Sequence, residues 1–584
     1  MKPSAATLEE LHGAFVLLGG RTRAERAEIT ALSRFRVLLA RIETISSVLQ
    51  LANHGESPAL DAVWYSLVLT MTVPAAALSR FLDNACPDHH VRGGPDHVRA
   101  AHTAMRLLAR YPGIPRADFY SAVVCGDIDA VNRALAADPG WATRPNGDPD
   151  PVRTGVGGEN DLLRRDWGTK GWQPLSYLSF ARLPLEAVAK NAVAIAAALL
   201  DHGADPNVYF MAGDSHYTPL VGVIGEGEEG RPSHPQRDAL ASLLLDRGAR
   251  PYDQQVIYNI HFSGKVQWFL ELAYEHSRQH GRGADWEDPE WRMFDMGGYG
   301  SGARWHLEMA IEHGDLALAE WCLTHGASPN VPPPAHRAGS GRPLYDEAMV
   351  RGRAELAELL VRHGAVRTAI ALDPKQSLVD ACRRSDTQTI RDQIGKHPAF
   401  LETSEPLFAA AAHNQRTAAE VLLDLGTSPD LESPEGERAL HIAAYSDSVE
   451  VAELLIARGA QVDPIGRQYD NTPLGGAMHG RSVRMIALLC RHSRSIWEVG
   501  YAGNVERVRQ LLAEKPEAAR ATGDGETLLM WLPPDDESKA LELAQLLLEH
   551  GADATVRDPQ NMTAADRAAQ NAMFDVEALL RARE

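Results

Sequence analysis

A chain of 584 residues exceeds what one hydrophobic core organises, so several domains or a repeat array is expected. Its 44% hydrophobic content is that of an ordinary water-soluble protein, and 58 basic against 78 acidic residues leave a net charge of −20. That balance argues against general nucleic-acid binding, which neutralises phosphates with Lys and Arg, and against adsorption to an anionic membrane.

Residues 1–115 read as a helical N-terminal domain or an extended cap. Helices are predicted over about 6–18, 23–53, 57–84 and 95–111, broken at Gly19-Gly20, Asn53-His54-Gly55 and Gly93-Gly94-Pro95. The apolar run Ala62–Leu78 is short, holds Pro74 and is bounded by Asp61 and Arg80, so a buried helix is favoured over a membrane span. Cys86, His89, His90, His97 and His102 crowd one stretch, but their spacing matches no standard zinc motif; surface or turn histidines are the favoured reading. The five cysteines, Cys86, Cys125, Cys322, Cys382 and Cys490, form no C-x-x-C pair, which suggests free thiols in a reducing compartment. With no secretory leader legible at the start, a cytoplasmic location is expected.

From residue 116 onward a helix–turn–helix pattern recurs. Asp118–Ala142 opens it, with a turn at Gly126-Asp127. Further units open at Trp172-Gln173-Pro174-Leu175, Tyr217-Thr218-Pro219-Leu220, Arg304-Trp305-His306-Leu307, Arg342-Pro343-Leu344, Glu405-Pro406-Leu407, Glu526-Thr527-Leu528 and Met562-Thr563-Ala564-Ala565. Residues 254–276 form a degenerate pair. The clearest text is 436–474. There the spacing predicts a short helix over Leu440–Tyr445, a break at Ser446–Ser448, and a second helix over Val449–Ala457 ended by Gly459. Val451, Leu454 and Leu455 share one face of that second helix. One pair cannot bury such a face alone, and the pattern repeats about every 33 residues where nothing is inserted.

Ala439-Leu440-His441-Ile442-Ala443-Ala444 and Leu199-Leu200-Asp201-His202-Gly203-Ala204-Asp205-Pro206-Asn207 resemble the opening and closing halves of an ankyrin repeat. The resemblance implies an all-α solenoid of about a dozen units over 116–584, following the N-terminal helical domain. The repeats diverge from the family pattern: Thr-Pro openings are intact only at 218–219 and 472–473. His441 falls where that family commonly has a histidine that knits adjacent units, so a structural role is expected for it.

Extra residues fall at 143–170, 224–236, 277–303 and 331–341, and most tryptophans lie within 140–345. Insertions on one side of a solenoid commonly mark the working face. Aromatic loop residues suit recognition, since they supply large contact area at low entropic cost, although the same rings could instead staple the loops down. For Trp172, Trp305 and Trp321, inside repeat positions, core packing is favoured. The residues expected to meet a partner are Trp167, Lys170, His216, Tyr217, Trp286, Trp291, Tyr299, Tyr445, Gln468, Tyr469, Asn471 and His479. The resemblance makes that partner a protein bound through finger loops and the concave face. The acidic charge predicts a basic partner surface, and salt should weaken the association.

Chemistry is harder to find. Gly297–Gly302 precedes a helix but lacks a following Lys-Ser/Thr. Asp285, Glu287, Asp288, Glu290 and Asp295 are spaced too loosely for a calcium loop. No Gly-x-Ser-x-Gly elbow or His-Glu-x-x-His is present, so no catalytic, metal or cofactor site is expected. Two alternatives remain: an enzyme with its site in 1–115 or 251–304, or a secreted bacterial-type effector, for which high Ala, Arg and Gly usage is the hint.

Overall fold

The computed structural model describes residues 73–86, 97–147, 169–212, 215–225, 227, 231–261, 266–334, 341–368, 373–467 and 470–584. The helices expected over 6–18 and 23–53 lie outside these residues. The described residues group into two units, one ending at Asp285 and one beginning at Trp286. Both are built from helices, with two short antiparallel hairpins.

In the first unit, helices Ala75–Ala85 and His97–Arg110 pack on each other, and four pairs follow. The pairs are Phe119–Val124 with Ile128–Ala137, Pro174–Phe180 with Glu186–Asp201, Pro219–Ile224 with Arg237–Asp246, and Gln254–His261 with Gln267–Gln279. First helices stack on first helices and second on second, so each pair covers the apolar face of its neighbour. The second unit continues this construction from Gly302–His313 with Leu316–Thr324 to Ala564–Gln570 with Phe574–Arg581. Within it, 378–580 share one run of buried Leu, Val, Ile and Ala side chains. Leu454 and Leu455 are both buried in that run, and each contributes about 1.5–3 kcal/mol by leaving water.

The local chemistry explains the boundaries. Helix Ala439–Tyr445 ends before Asp447, whose φ of 53° places it in the left-handed region, and Val449–Ala457 then begins. The second helix closes at Gly459 with φ 86°, a conformation that a Cβ would strain. Where Thr-Pro survives, Thr472 caps its helix by accepting from Gly475 N at 3.1 Å, and Pro473 takes the first helical position. One unit departs from the pattern. After Glu526-Thr527 the first helix shrinks to a single 3-10 turn, Leu528–Met530, because Pro533 and Pro534 deny the chain two backbone donors.

Adjacent pairs are tied by side chains in the closing turns. Asn207 Nδ2 donates to Gly248 O at 2.9 Å, and Asn330 does the same to Gly364 O at 2.9 Å. Asp430 and Asp463 stand at the same point in later units and accept from Gln461 N and Arg494 N. His441 contributes to the same coupling. Its Nδ1 accepts from Arg438 N at 3.1 Å, which leaves Nε2 to donate to Pro464 O at 3.1 Å. Burial holds its pKa below the usual histidine value, so the neutral ring is the structural form.

Candidate partner-binding surface

The hairpin at 210–217 is the best-defined finger. Phe210–Ala212 pairs antiparallel with Ser215–Tyr217, Phe210 opposite Tyr217. Successive strand side chains point to opposite faces. His216 is therefore exposed, and its ring lies 4.4 Å from the exposed Tyr209 ring. Tyr217 is only 1% exposed, packed against Phe210 and Phe180. Its expected place at the contact surface is corrected: the hairpin register turns it inward, and Tyr209, Met211 and His216 form the outer face. Lys170, before the helix Pro174–Phe180, is exposed, while Trp167 lies outside the described residues.

The stretch 286–303 is a small closed core rather than an open finger. Trp291 is 0% and Trp286 3% exposed. Their rings meet at 5.0 Å, and Trp286 also contacts Phe294 and Trp321 at 5.8 Å. Ser328 N donates to Pro289 O at 2.8 Å, fastening the loop to the turn after Leu316–Thr324. Burial removes Trp286 and Trp291 from any contact surface: these rings staple the loop. Trp172 and Trp305 are also buried, and Trp321 is half-buried. Of the aromatic residues expected here, Tyr299 alone stays open, 44% exposed beside Trp305.

The charged and glycine-rich parts of this stretch are internally paired. Asp285 accepts from Tyr252 and pairs with Arg282, while Asp288 and Glu290 pair with Arg292. Asp295 Oδ1 accepts from Gly297 N at 2.9 Å, so a carboxylate already engages the first amide of the glycine run. Among the described residues no group of three or more His, Cys, Asp or Glu could hold a metal ion. Of the Cys-His stretch, Cys86 is buried with Sγ 3.4 Å from Tyr177 O, and 87–96 lie outside the described residues. The five cysteines are free and buried, and burial pushes Cys125 and Cys382 up to about 12. Among the described residues no helix is long and apolar enough to cross a membrane.

The first-helix ends of the later repeats carry a row of rings, Tyr445 the most open and Tyr501 half-buried. Tyr445, the last residue of Ala439–Tyr445, is 65% exposed. His479, the last residue of Pro473–His479, is exposed and lies parallel to it, centroids 6.1 Å apart. Each stands two residues before a left-handed turn residue, Asp447 and Arg481. Tyr501 occupies the same point before Gly503, and its ring reaches Trp531 at 5.7 Å. Trp531 is 40% exposed, and its Nε1 donates to Glu526 at 2.5 Å. The exposure of Tyr445 and His479 is what the repeat pattern predicts, and aligning the turn residues puts Tyr501 at the same point. In the finger before His479, Asn471 is half-buried and its carbonyl accepts from Gly466 N, while Ile465 is 65% exposed. Gln468 and Tyr469 lie outside the described residues.

Comparison with known proteins finds ankyrin repeats in part of the chain. The family model for ankyrin repeats (3 copies) matches residues 378–465 and 407–499. The mouse B-cell lymphoma 3 protein homolog is 33% identical over 99 residues, 16% of this chain and 22% of that protein. Ankyrin repeat domain-containing protein SAT10 of Stachybotrys chartarum is 24% identical over 270 residues, 42% of this chain and 13% of that protein. The chain thus spans less than a quarter of the length of these curated relatives. The human ASB11 ankyrin repeat domain is similar over 35% of this chain and 97% of its own, at 20% identity and a TM-score of 0.27. Residues 378–499 carry ankyrin repeats, and all-α helix pairs of the same construction lie on either side of them in the sequence.

Proposed function

We propose that this chain is a protein-binding scaffold whose contact surface is the row of first-helix ends, Tyr445, His479, Tyr501 and Trp531, extended by the neighbouring finger tips. The carrying observation is that Tyr445 is 65% exposed and stacked on the exposed His479. Large rings held open in a repeated position have no core to fill, and they offer contact area with little rotamer entropy to lose. Lys170, His216, Tyr299 and Asn471 are the further finger contacts in this reading. The partner is a protein with a basic surface: Glu435, Asp470 and Asp524 are exposed on the fingers, and cations are attracted to aromatic faces.

The test is affinity capture from native lysate with wild type and a Tyr445→Ala/His479→Ala double variant. The expected result is a partner retained by wild type and weakened about tenfold or more by the variant, since about 1.4 kcal/mol is a factor of ten. Far-ultraviolet circular dichroism should not change, and added salt should weaken the wild-type complex. Equal capture by both proteins would remove this row from the interface.

A further inference from the structure

In the second unit, the turn after a first helix holds a left-handed residue. The residue just before it is His313, Arg351, Arg384 and His413 in four successive repeats, then Ser446 and Gly480 in the next two. Arg353 follows Arg351 by two positions, and Arg383 directly precedes Arg384. Their two turns meet: Gln376 Nε2 donates to Val350 O at 3.0 Å, and a Cβ on Gly352 would come within 3.1 Å of the Asp380 carboxyl carbon. Four arginines are thus gathered at one place on a chain of net charge −20. A helix C-terminus favours cations, but the later repeats form the same helix with Ser446 or Gly480 at this point, so the helix does not require them.

Most of their donors are unspent. Arg351 Nε holds Glu347 at 2.7 Å, Arg383 Nη1 holds the buried Asp380 at 2.7 Å, and Arg353 Nη2 donates to the Glu312 backbone carbonyl at 3.1 Å. The exposed Arg384 uses only Nε, on the Asp380 backbone carbonyl at 3.3 Å. A guanidinium carries five donors, so the terminal nitrogens of Arg384 and Arg351 meet no acceptor among the described residues. The cations also press on one another. Burial, then the charges of Arg383 and Arg351, hold Arg353 below the usual arginine value. Burial, then Arg383 and Arg353, lower His413 in the next turn. Glu347 and Asp380 each occupy one arginine, which leaves the cluster with a cationic excess.

We infer that the turns at 351–353 and 383–384, extended by His413, form an interaction surface for a short acidic segment of a partner protein, its carboxylates held by the terminal nitrogens of Arg384 and Arg351. The planar guanidinium fork matches a carboxylate, and Glu347 and Asp380 already sit against two of these arginines in that way. Packed helices lie about 8–10 Å apart, so three successive turns span roughly 16–20 Å. That is the reach of about five or six extended residues. A nucleic-acid strand fits less well, because its phosphates would run past the patch onto a chain that is acidic as a whole. The surface goes beyond the aromatic row and takes the opposite charge from the fingers.

The experiment titrates the full chain into fluorescein-labelled hexaglutamate and reads fluorescence anisotropy, with labelled hexalysine and a labelled dT6 oligonucleotide as the other probes. The expected result is saturable binding of hexaglutamate that salt weakens and that Arg351→Gln/Arg384→Gln weakens about tenfold or more. Arg491→Gln, an exposed arginine on the helix Val483–His492, should leave it unchanged. Tyr445→Ala/His479→Ala should also leave it unchanged, which separates this surface from the aromatic row. Far-ultraviolet circular dichroism checks the fold of each variant. Should the double arginine variant fail to fold, Arg384→Gln alone, which breaks no ion pair, should weaken binding about threefold or more. No saturable binding of hexaglutamate, equal binding by the arginine variants, or tighter binding of dT6 than of hexaglutamate would overturn the inference.

Discussion

Trp291→Ala should cost about 3–5 kcal/mol of stability, the usual range for deleting a buried large aromatic ring. Trp291 is fully buried, and its ring touches Trp286, Trp321 and His306 at 5.0–6.0 Å. Removing it leaves a cavity between the 286–303 stretch and the helix Leu316–Thr324 that the remaining rings cannot fill without moving. Solenoid repeats unfold in part, so a local probe reads the effect best. Hydrogen exchange of Leu316–Thr324 should quicken in the variant, while exchange of Val449–Ala457 stays the same. A contact residue would behave differently: its loss would leave exchange alone and weaken partner capture. A stability change under about 1 kcal/mol would contradict the stapling role.

That distinction was not legible in the sequence, for a physical reason. Tryptophan in a long insertion has the same composition signature whether it faces solvent or folds back. The decision rests on Phe294, His306 and Trp321 converging on Trp286 and Trp291, which is a tertiary fact. What was legible followed from local rules. The helix Val449–Ala457 appears with the bounds that its apolar spacing and closing glycine imply. Helix Ala439–Tyr445 begins one residue before the expected start. Tyr217 shows the intermediate case. A two-residue strand period separates it from His216, but which of the two faces inward depends on the register of the partner strand. The exposure of Tyr445 and His479 was legible because an outward-facing position in a repeat has a fixed distance from its turn. The shortened helix at Leu528–Met530 could have been foreseen from Pro533-Pro534, since proline within the first turns of a weak helix stops it.

Acid should destabilise the first unit through His234. This residue is almost fully buried beside the end of Pro219–Ile224, with its backbone N donating to Val223 O at 2.8 Å. Nδ1 accepts from Gln236 N at 3.0 Å, which fixes the neutral ring. Burial, helped by the Arg182 guanidinium, lowers the pKa from 6.5 to about 3. The folded value lies below the unfolded one. The stabilising contribution is therefore complete above pH 6.5 and is lost as pH falls from there towards about 3. A tenfold difference in proton affinity between the folded and unfolded chain is worth about 1.4 kcal/mol, so the loss between neutral pH and pH 4 is roughly 3 kcal/mol. His234→Gln keeps an acceptor for Gln236 N but cannot titrate. Chemical denaturation of both proteins at pH 7 and pH 4 separates this residue from the carboxylates, which titrate alike in the two. The variant should lose roughly 3 kcal/mol less than wild type over that interval. Parallel losses in both would show that His234 is not the acid-sensitive group of the first unit.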